Sequence, residues 1–207
     1  MKIAFIGFGE AARAFRDSLA ATDPALGFSA YDILFDSEGM DGPTAEAARA
    51  AGGAALGSPS EAIAHADWIV SAVTASSSLA AGHSVGPAIR PGQVFIDINS
   101  VSPGRKQETA ALLTPKGAVY VDMAVMAPVH PRGHRTPVLV AGALPAGFLD
   151  RLAALAFDLE VVGETVGAAT AIKMVRSQFV KGLEAITVET LLAASASGCL
   201  DYTMKSL

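Results

Sequence analysis

The segment Lys2-Ile3-Ala4-Phe5-Ile6-Gly7-Phe8-Gly9-Glu10-Ala11-Ala12 decides the fold. An apolar run of strand length, Lys2–Gly7, ends in glycine. An amphipathic segment, Glu10–Ala21, follows at once, with Ala11, Ala14, Phe15 and Leu19 on one side and Arg13, Arg16 and Asp17 elsewhere. The junction has the pattern G-x-G-x-x-A. Gly7 permits a tight turn, Gly9 lets main chain come close to a pyrophosphate, and Ala12 lets the helix pack closely on the strand. The unpaired N–H groups and positive dipole end of the helix would face the phosphates. Such a pattern is common by itself, but a strand before it and a helix after it point to a dinucleotide. Gly7, Phe8, Gly9, Glu10, Ala11 and Ala12 are the expected binding loop.

An acidic residue closing the second strand ordinarily accepts hydrogen bonds from the adenosine ribose. Asp32, ending the run Phe28–Asp32, takes that place, with Asp36 next in line if the strand runs longer. A carboxylate there repels a 2′-phosphate and no arginine follows closely, so NAD is expected ahead of NADP.

The rest of the chain alternates strand and helix. Helices are expected at Thr44–Ala51 (stopped by Gly52-Gly53), Pro59–Ala64, Ser76–Ile89, Pro103–Leu113 and Leu144–Ala154. Strands are expected at Trp68–Val73, Val94–Ile98, Val119–Val125, Pro137–Ala141 and Leu159–Val162. This is the pattern of an α/β, Rossmann-type doubly wound sheet, mainly parallel and covered on both faces. Gly167 to about Ser195 then reads as one long helix, too long for a crossover inside the sheet domain. The expected organisation is a dinucleotide-binding domain over 1–163, then an interdomain helix and the start of a helical domain over 164–207.

Composition narrows the setting. Of 207 residues, 51% are hydrophobic and 17% charged, as in a packed domain rather than a disordered one. The apolar stretches are broken well before the roughly 20 residues a membrane helix needs. Cys199 stands alone, so neither a disulfide nor a cysteine zinc site can form within the chain. A net charge of −5 without a basic run speaks against nucleic acid. No signal peptide is visible, and a cytoplasmic enzyme without metal is expected.

Three further segments carry a resemblance. They are Val73-Thr74-Ala75-Ser76, then Asp97-Ile98-Asn99-Ser100-Val101-Ser102-Pro103, and Gly167-Ala-Ala-Thr-Ala-Ile-Lys173-Met-Val-Arg176-Ser177. With the glycine loop, they resemble the β-hydroxyacid dehydrogenase family, which includes 3-hydroxyisobutyrate and 6-phosphogluconate dehydrogenases. The phosphogluconate-dehydrogenase-like branch looks nearest. The resemblance implies that Val73, Thr74 and Ala75 lie beside the nicotinamide ribose, and that Asn99 and Ser100 face nicotinamide and substrate. It implies that Lys173 exchanges the proton of the substrate hydroxyl, with Ser177 where the family has asparagine. Lys173, Ser177 and Lys181 are four apart and share a helix face. Set in an apolar run, Lys173 could be partly desolvated, which lowers a lysine pKa. The plainer alternatives are a helix start at Ser102-Pro103 and a snorkelling lysine.

The chain also departs from the family. The family's D-x-P-V-S-G-G carboxylate clamp is replaced by Asp122-Met-Ala-Val-Met126-Ala-Pro128, and Pro128 has no N–H to offer an anion. Met126 is expected on the substrate side. His130-Pro-Arg132-Gly-His134-Arg135 follows, and Arg132 and Arg135 are expected to take over binding of the anionic group, a solvated loop being the alternative. The resemblance implies a helical domain after the long helix, expected here to be absent or truncated, either because the chain is a fragment or because a partner subunit covers the helix. A homodimer through the long helix is expected to cover Ile172, Val175, Phe179, Leu183, Ile186 and Leu191. The implied function is hydride transfer between NAD(P) and a small anionic hydroxy or oxo acid. A non-catalytic NAD(H)-binding module and an imine reductase are the alternatives.

Overall fold

The computed structural model describes Met1–Leu207, the side chain of residue 51 excepted. The chain divides into two compact units, Met1–Ala171 and Ile172–Leu207.

The first unit is an eight-stranded sheet: β1 (Lys2–Ile6), β2 (Gly27–Tyr31), β3 (Ala54–Ala55), β4 (Trp68–Ser71), β5 (Val94–Asp97), β6 (Val119–Val125), β7 (Val138–Ala141) and β8 (Leu159–Gly163). Their order is β3-β2-β1-β4-β5-β6-β7-β8. All neighbours are parallel except β6 and β7. The β6–β7 link holds only a single 3-10 turn, Gly133–Arg135, rather than a crossover helix, so the chain returns antiparallel.

Helices α1 (Glu10–Thr22), α2 (Leu34–Glu38), α3 (Pro43–Arg49), α4 (Pro59–Ile63), α5 (Ser78–Val85), α6 (Pro103–Leu113) and α7 (Phe148–Ala154) join the strands. The first turn of α8 (Ala168–Ala196) also belongs to this unit. Alternation along β1 divides the core. Ile3 and Phe5 join Phe8, Phe15, Phe28, Trp68 and Leu152 on one face, while Ala4 and Ile6 join Ile63, Ile69, Phe95 and Leu113 on the other. Ser58 and Ser102 cap α4 and α6 by accepting from Glu61 N and Arg105 N, each followed by proline at the first helical position.

Several boundaries differ from expectation. The helix expected at Ser76–Ile89 shortens to α5, closing before Gly86-Pro87, and α7 starts only after Gly147, whose φ is +73°. The short α2 and the two-residue edge strand β3 have no counterpart in the expected elements.

The second unit holds the remainder of α8 and α9 (Leu200–Ser206), a helix not foreseen. Its apolar side chains Val175, Phe179, Leu183 and Ile186 are exposed. Among the described residues, no helix is long and apolar enough to cross a membrane.

Candidate functional site

Strand order reverses between β1 and β4, and the chain leaves their C-terminal ends toward opposite sides. A crevice opens at such a point. Gly7, with φ +86°, makes the turn there, and a Cβ on it would collide with the Ala72 carbonyl oxygen just after β4. Only glycine fits. Its N–H donates to the Tyr31 carbonyl at 2.9 Å, tying the turn to β2. Gly9 is the N-cap of α1 and no side chain caps that helix, so its first-turn N–H groups stay open to a ligand. A Cβ on Gly9 would project into open space. Ala12 is fully buried, as close helix–strand packing requires, while Glu10 is exposed. Phe8 turns inward beneath the Arg16 guanidinium, 5.3 Å from its ring centre, so only its main chain can face a ligand.

A cleft of about 520 Å³ runs from Gly7 and Gly9 past Asp32 and Leu34 to Val73 and Thr74. Asp32 follows directly on β2 and has structural partners. Its Oδ2 accepts from Phe8 N at 2.6 Å and its Oδ1 from Leu34 N at 2.9 Å. It therefore clasps the glycine loop to the segment after β2. Asp36, the other candidate, sits on α2 and accepts from the Tyr31 hydroxyl at 2.8 Å. Partial burial and this bond push the Tyr31 phenol up to about 12.

At the opposite end of the cleft, Asn99 acts on the turn after β4. Its Oδ1 accepts from Val73 N at 2.7 Å and its Nδ2 donates to Ser71 Oγ at 2.9 Å, with the side chain buried. Both ends of the amide are thus engaged by protein, and the residue shapes the turn. Thr74 Oγ1 lies within 3.1 Å of the Ser76 and Ser77 hydroxyls. Ala75 and Ser100 are exposed.

Beneath this turn lies a buried charged network that the sequence reading missed. Asp97 and Asp122 are register partners on β5 and β6, and both are fully buried. Lys106 of α6, also fully buried, places its Nζ 2.6 Å from the Asp97 carbonyl, 3.0 Å from Asp97 Oδ1 and 3.4 Å from Asp122 Oδ1. Tyr120 donates its hydroxyl to Asp97 Oδ2 at 2.5 Å; burial and the Asp97 charge hold that phenol far above its usual range, so it remains a donor. Asp122 accepts from Gly167 N at 3.0 Å and from Thr170 N at 3.1 Å, fixing the start of α8. The sequence did hold a signal: Val94-Phe-Ile-Asp97 and Val119-Tyr-Val-Asp122 are two apolar strands carrying aspartate at the same place.

The loop after β6 takes a different path from the one expected. It runs along α1, with His130 Nε2 3.8 Å from Glu10 Oε1 and Gly133 packed on Ser18. Farther along, Arg135 Nη2 donates to Thr22 Oγ1 at 3.0 Å. Thr22 ends the helix that begins at Glu10, roughly 18 Å away at 1.5 Å per residue. Arg132 and Arg135 line a separate hollow with Ser18, Ala21 and Pro131. That hollow shares no lining residue with the cleft between the glycine turn and Thr74. His134 is fully buried: its Nε2 donates to the Leu155 carbonyl at 2.7 Å, so its Nδ1 accepts from the Ser18 hydroxyl, also at 2.7 Å. Met126, half-buried, follows β6 directly. Lys173 and Ser177, both half-buried, belong to the second unit; Lys173 follows Thr170 by three residues on the same helix.

The strand order, the glycine turn and the uncapped α1 define a dinucleotide-binding α/β protein. Residues 2–101 match the family model described as NADP oxidoreductase, coenzyme F420-dependent. A conserved hypothetical protein from Sinorhizobium meliloti 1021 is 37% identical, with a TM-score of 0.82, over all of this chain and 68% of its own. A conserved protein of unknown function, described as structurally similar to 3-hydroxyacid dehydrogenases, is 28% identical, with a TM-score of 0.79, over all of this chain and 74% of its own. The 3-hydroxyisobutyrate dehydrogenase of Mycobacterium tuberculosis shares the fold at 24% identity and TM-score 0.78, over 96% of this chain and 66% of its own. So does an imine reductase from Myxococcus stipitatus, at 20% identity and TM-score 0.79, over all of this chain and 70% of its own. The chain belongs to one family with the Sinorhizobium meliloti protein, matches the NADP oxidoreductase model over residues 2–101, and shares the fold of 3-hydroxyisobutyrate dehydrogenases and imine reductases.

Proposed function

We propose that the protein transfers hydride between a nicotinamide dinucleotide and a small hydroxy or oxo acid, with Lys173 as general acid and base. The observation that carries this reading is the cleft at the β1–β4 reversal, with an uncapped α1 at one end and Asp32 at its side. The residues fit the group: open N–H groups of the α1 first turn would donate to the diphosphate, and the Asp32 carboxylate would accept from ribose hydroxyls. That carboxylate favours NAD over NADP. When bound, the dinucleotide supplies or accepts the hydride. Val73 and Thr74, shaped by Asn99, orient its nicotinamide end, and Ala75 continues that turn. Lys173 takes the proton from the substrate hydroxyl, or returns it to the carbonyl. Ser100 and Ser177 position substrate oxygens, and Met126 lines the substrate side. A lysine amine suits this proton transfer when partial desolvation lowers its pKa.

Residues 1–163 form the cofactor domain in this reading, and 164–207 lead into a helical domain. We place the enzyme in the cytoplasm, as a homodimer joined through α8.

Thermal shift with NAD, NADH, NADP and NADPH tests the cofactor, and a panel of 3-hydroxy acids and cyclic imines with the winning cofactor tests the reaction. Lys173→Ala is expected to cut turnover at least a hundredfold while cofactor affinity stays within about twofold. If the unsubstituted protein binds cofactor but turns over no substrate, a non-catalytic binding module is favoured instead. Imine reduction is the second reading. It is favoured by Pro128 standing where the family's glycine clamp holds a carboxylate, and by Arg135 being tied to Thr22. Preference for imines over hydroxy acids in the panel would establish it.

A further inference from the structure

Lys106 is fully buried and does not line the dinucleotide cleft. Removing an ammonium from water is costly, and an apolar side chain of similar volume often fills such a position with no loss of stability. The contacts of this ammonium are specific, and they run in two directions. On one side, Asp97 Oδ1 holds both Lys106 Nζ, at 3.0 Å, and Asn99 N, at 2.8 Å. Asn99 in turn holds Val73 N at 2.7 Å, in the turn that lines the cleft. On the other side, Asp122 Oδ1 lies 3.4 Å from Lys106 Nζ and accepts from Thr170 Oγ1 at 3.0 Å. Its Oδ2 accepts from Gly167 N and Thr170 N.

The two aspartates are register partners on adjacent strands. Without a cation between them, two buried carboxylates would repel each other across β5 and β6, each pulling on what it holds. We propose that Lys106 is a positioning residue, one ammonium that fixes the cofactor turn at Val73 and the first turn of the Lys173 helix together. Its effect on the cofactor rests on the oxidoreductase reading; its effect on the two turns does not. Neither Lys106 nor the two aspartates need touch substrate for this role.

The test uses the full chain and two readouts. One is the Kd for NADH or NADPH, whichever binds more tightly, followed by nicotinamide fluorescence. The other is amide hydrogen exchange of the ligand-free protein at Val73 and at 167–170. Asn99→Ala is expected to weaken dinucleotide binding on the order of tenfold, through loss of its hydrogen bond to Val73 N, and to speed exchange at Val73 alone. Thr170→Val is expected to speed exchange at 167–170 and leave Kd within about twofold. Lys106→Met is expected to do both. If Lys106→Met does not fold, Lys106→Gln, which removes the charge but keeps a polar donor beside both carboxylates, carries the same expectation.

A Lys106 variant that lowers Tm but leaves Kd and both exchange readouts within twofold overturns the proposal. So does either Asn99→Ala or Thr170→Val without effect on its own side. If the unsubstituted protein bound neither dinucleotide, the oxidoreductase reading would fall, while exchange at Val73 and Thr170 would still report on Lys106.

Discussion

His134 has every polar atom of its ring satisfied by groups that no local pattern connects to it: the Ser18 hydroxyl and the Leu155 carbonyl. Burial lowers its pKa, against the raising effect of the Leu155 bond, and the nearby Arg135 charge lowers it further. The unfolded chain, whose histidine titrates near about 6.5, therefore binds more protons than the folded one. Stability from this site is complete above that pH and is lost as pH falls through the folded value. Urea unfolding between pH 5 and 8 should show it as a difference between two proteins. His134→Gln is expected to be about 1–3 kcal/mol less stable at pH 8, with the gap narrowing toward pH 5. A gap that widened on acidification would assign the histidine a charged role. In sequence, His134 stands between glycine and arginine and looks like a surface group. Only the fold brings Ser18 to it, from 116 residues away. The network around Lys106 was missed for a related reason, since this α6 residue meets aspartates that stand on two adjacent strands, β5 and β6.

At the scale of elements, the glycine turn and α1 were legible because each position answers to a local constraint. The two glycines separate folding from binding. Gly7→Ala puts a Cβ against the Ala72 carbonyl and forces a left-handed φ on alanine. It is expected to cost at least about 2 kcal/mol of stability and to abolish dinucleotide binding. Gly9→Ala meets nothing in the protein, so its expected cost in stability is under about 1 kcal/mol, with a loss of at least tenfold in dinucleotide affinity. Chemical denaturation beside a binding isotherm checks both, and equal stability losses for the two would contradict the assignment. Helix α6 and strand β6 were also placed end to end, by Ser102-Pro103 and by a largely apolar run lying between Gly117 and Pro128. The edge strand β3 could not be, because two alanines have no alternation to read.

Across the whole molecule, alternation of strand and helix was enough to give the doubly wound sheet. It did not reveal the antiparallel return at β7 or the course of the loop along α1. Loop direction depends on side chains met far away in sequence, here Ser18 and Thr22. Helix α8 was legible in length, and its second-unit surface carries Phe179 at 73% exposure and Ile186 at 67%. A second copy covering that face predicts a dimer by light scattering at micromolar concentration. Phe179→Glu together with Ile186→Glu should shift the mass to the monomer without altering the far-UV spectrum. A monomeric unsubstituted protein would remove the homodimer.

The double engagement of Asp32 bears on the history of cofactor preference. Replacing this carboxylate to admit a phosphorylated dinucleotide would also remove the bond to the Phe8 amide. The first mutational step would then slacken the glycine turn before any new cation could repay it. Descendants that crossed over should therefore carry a second change near Phe8 or Leu34, fixed earlier than the switch itself. Reconstructed intermediates, assayed in both orders, would show one path open and the other closed.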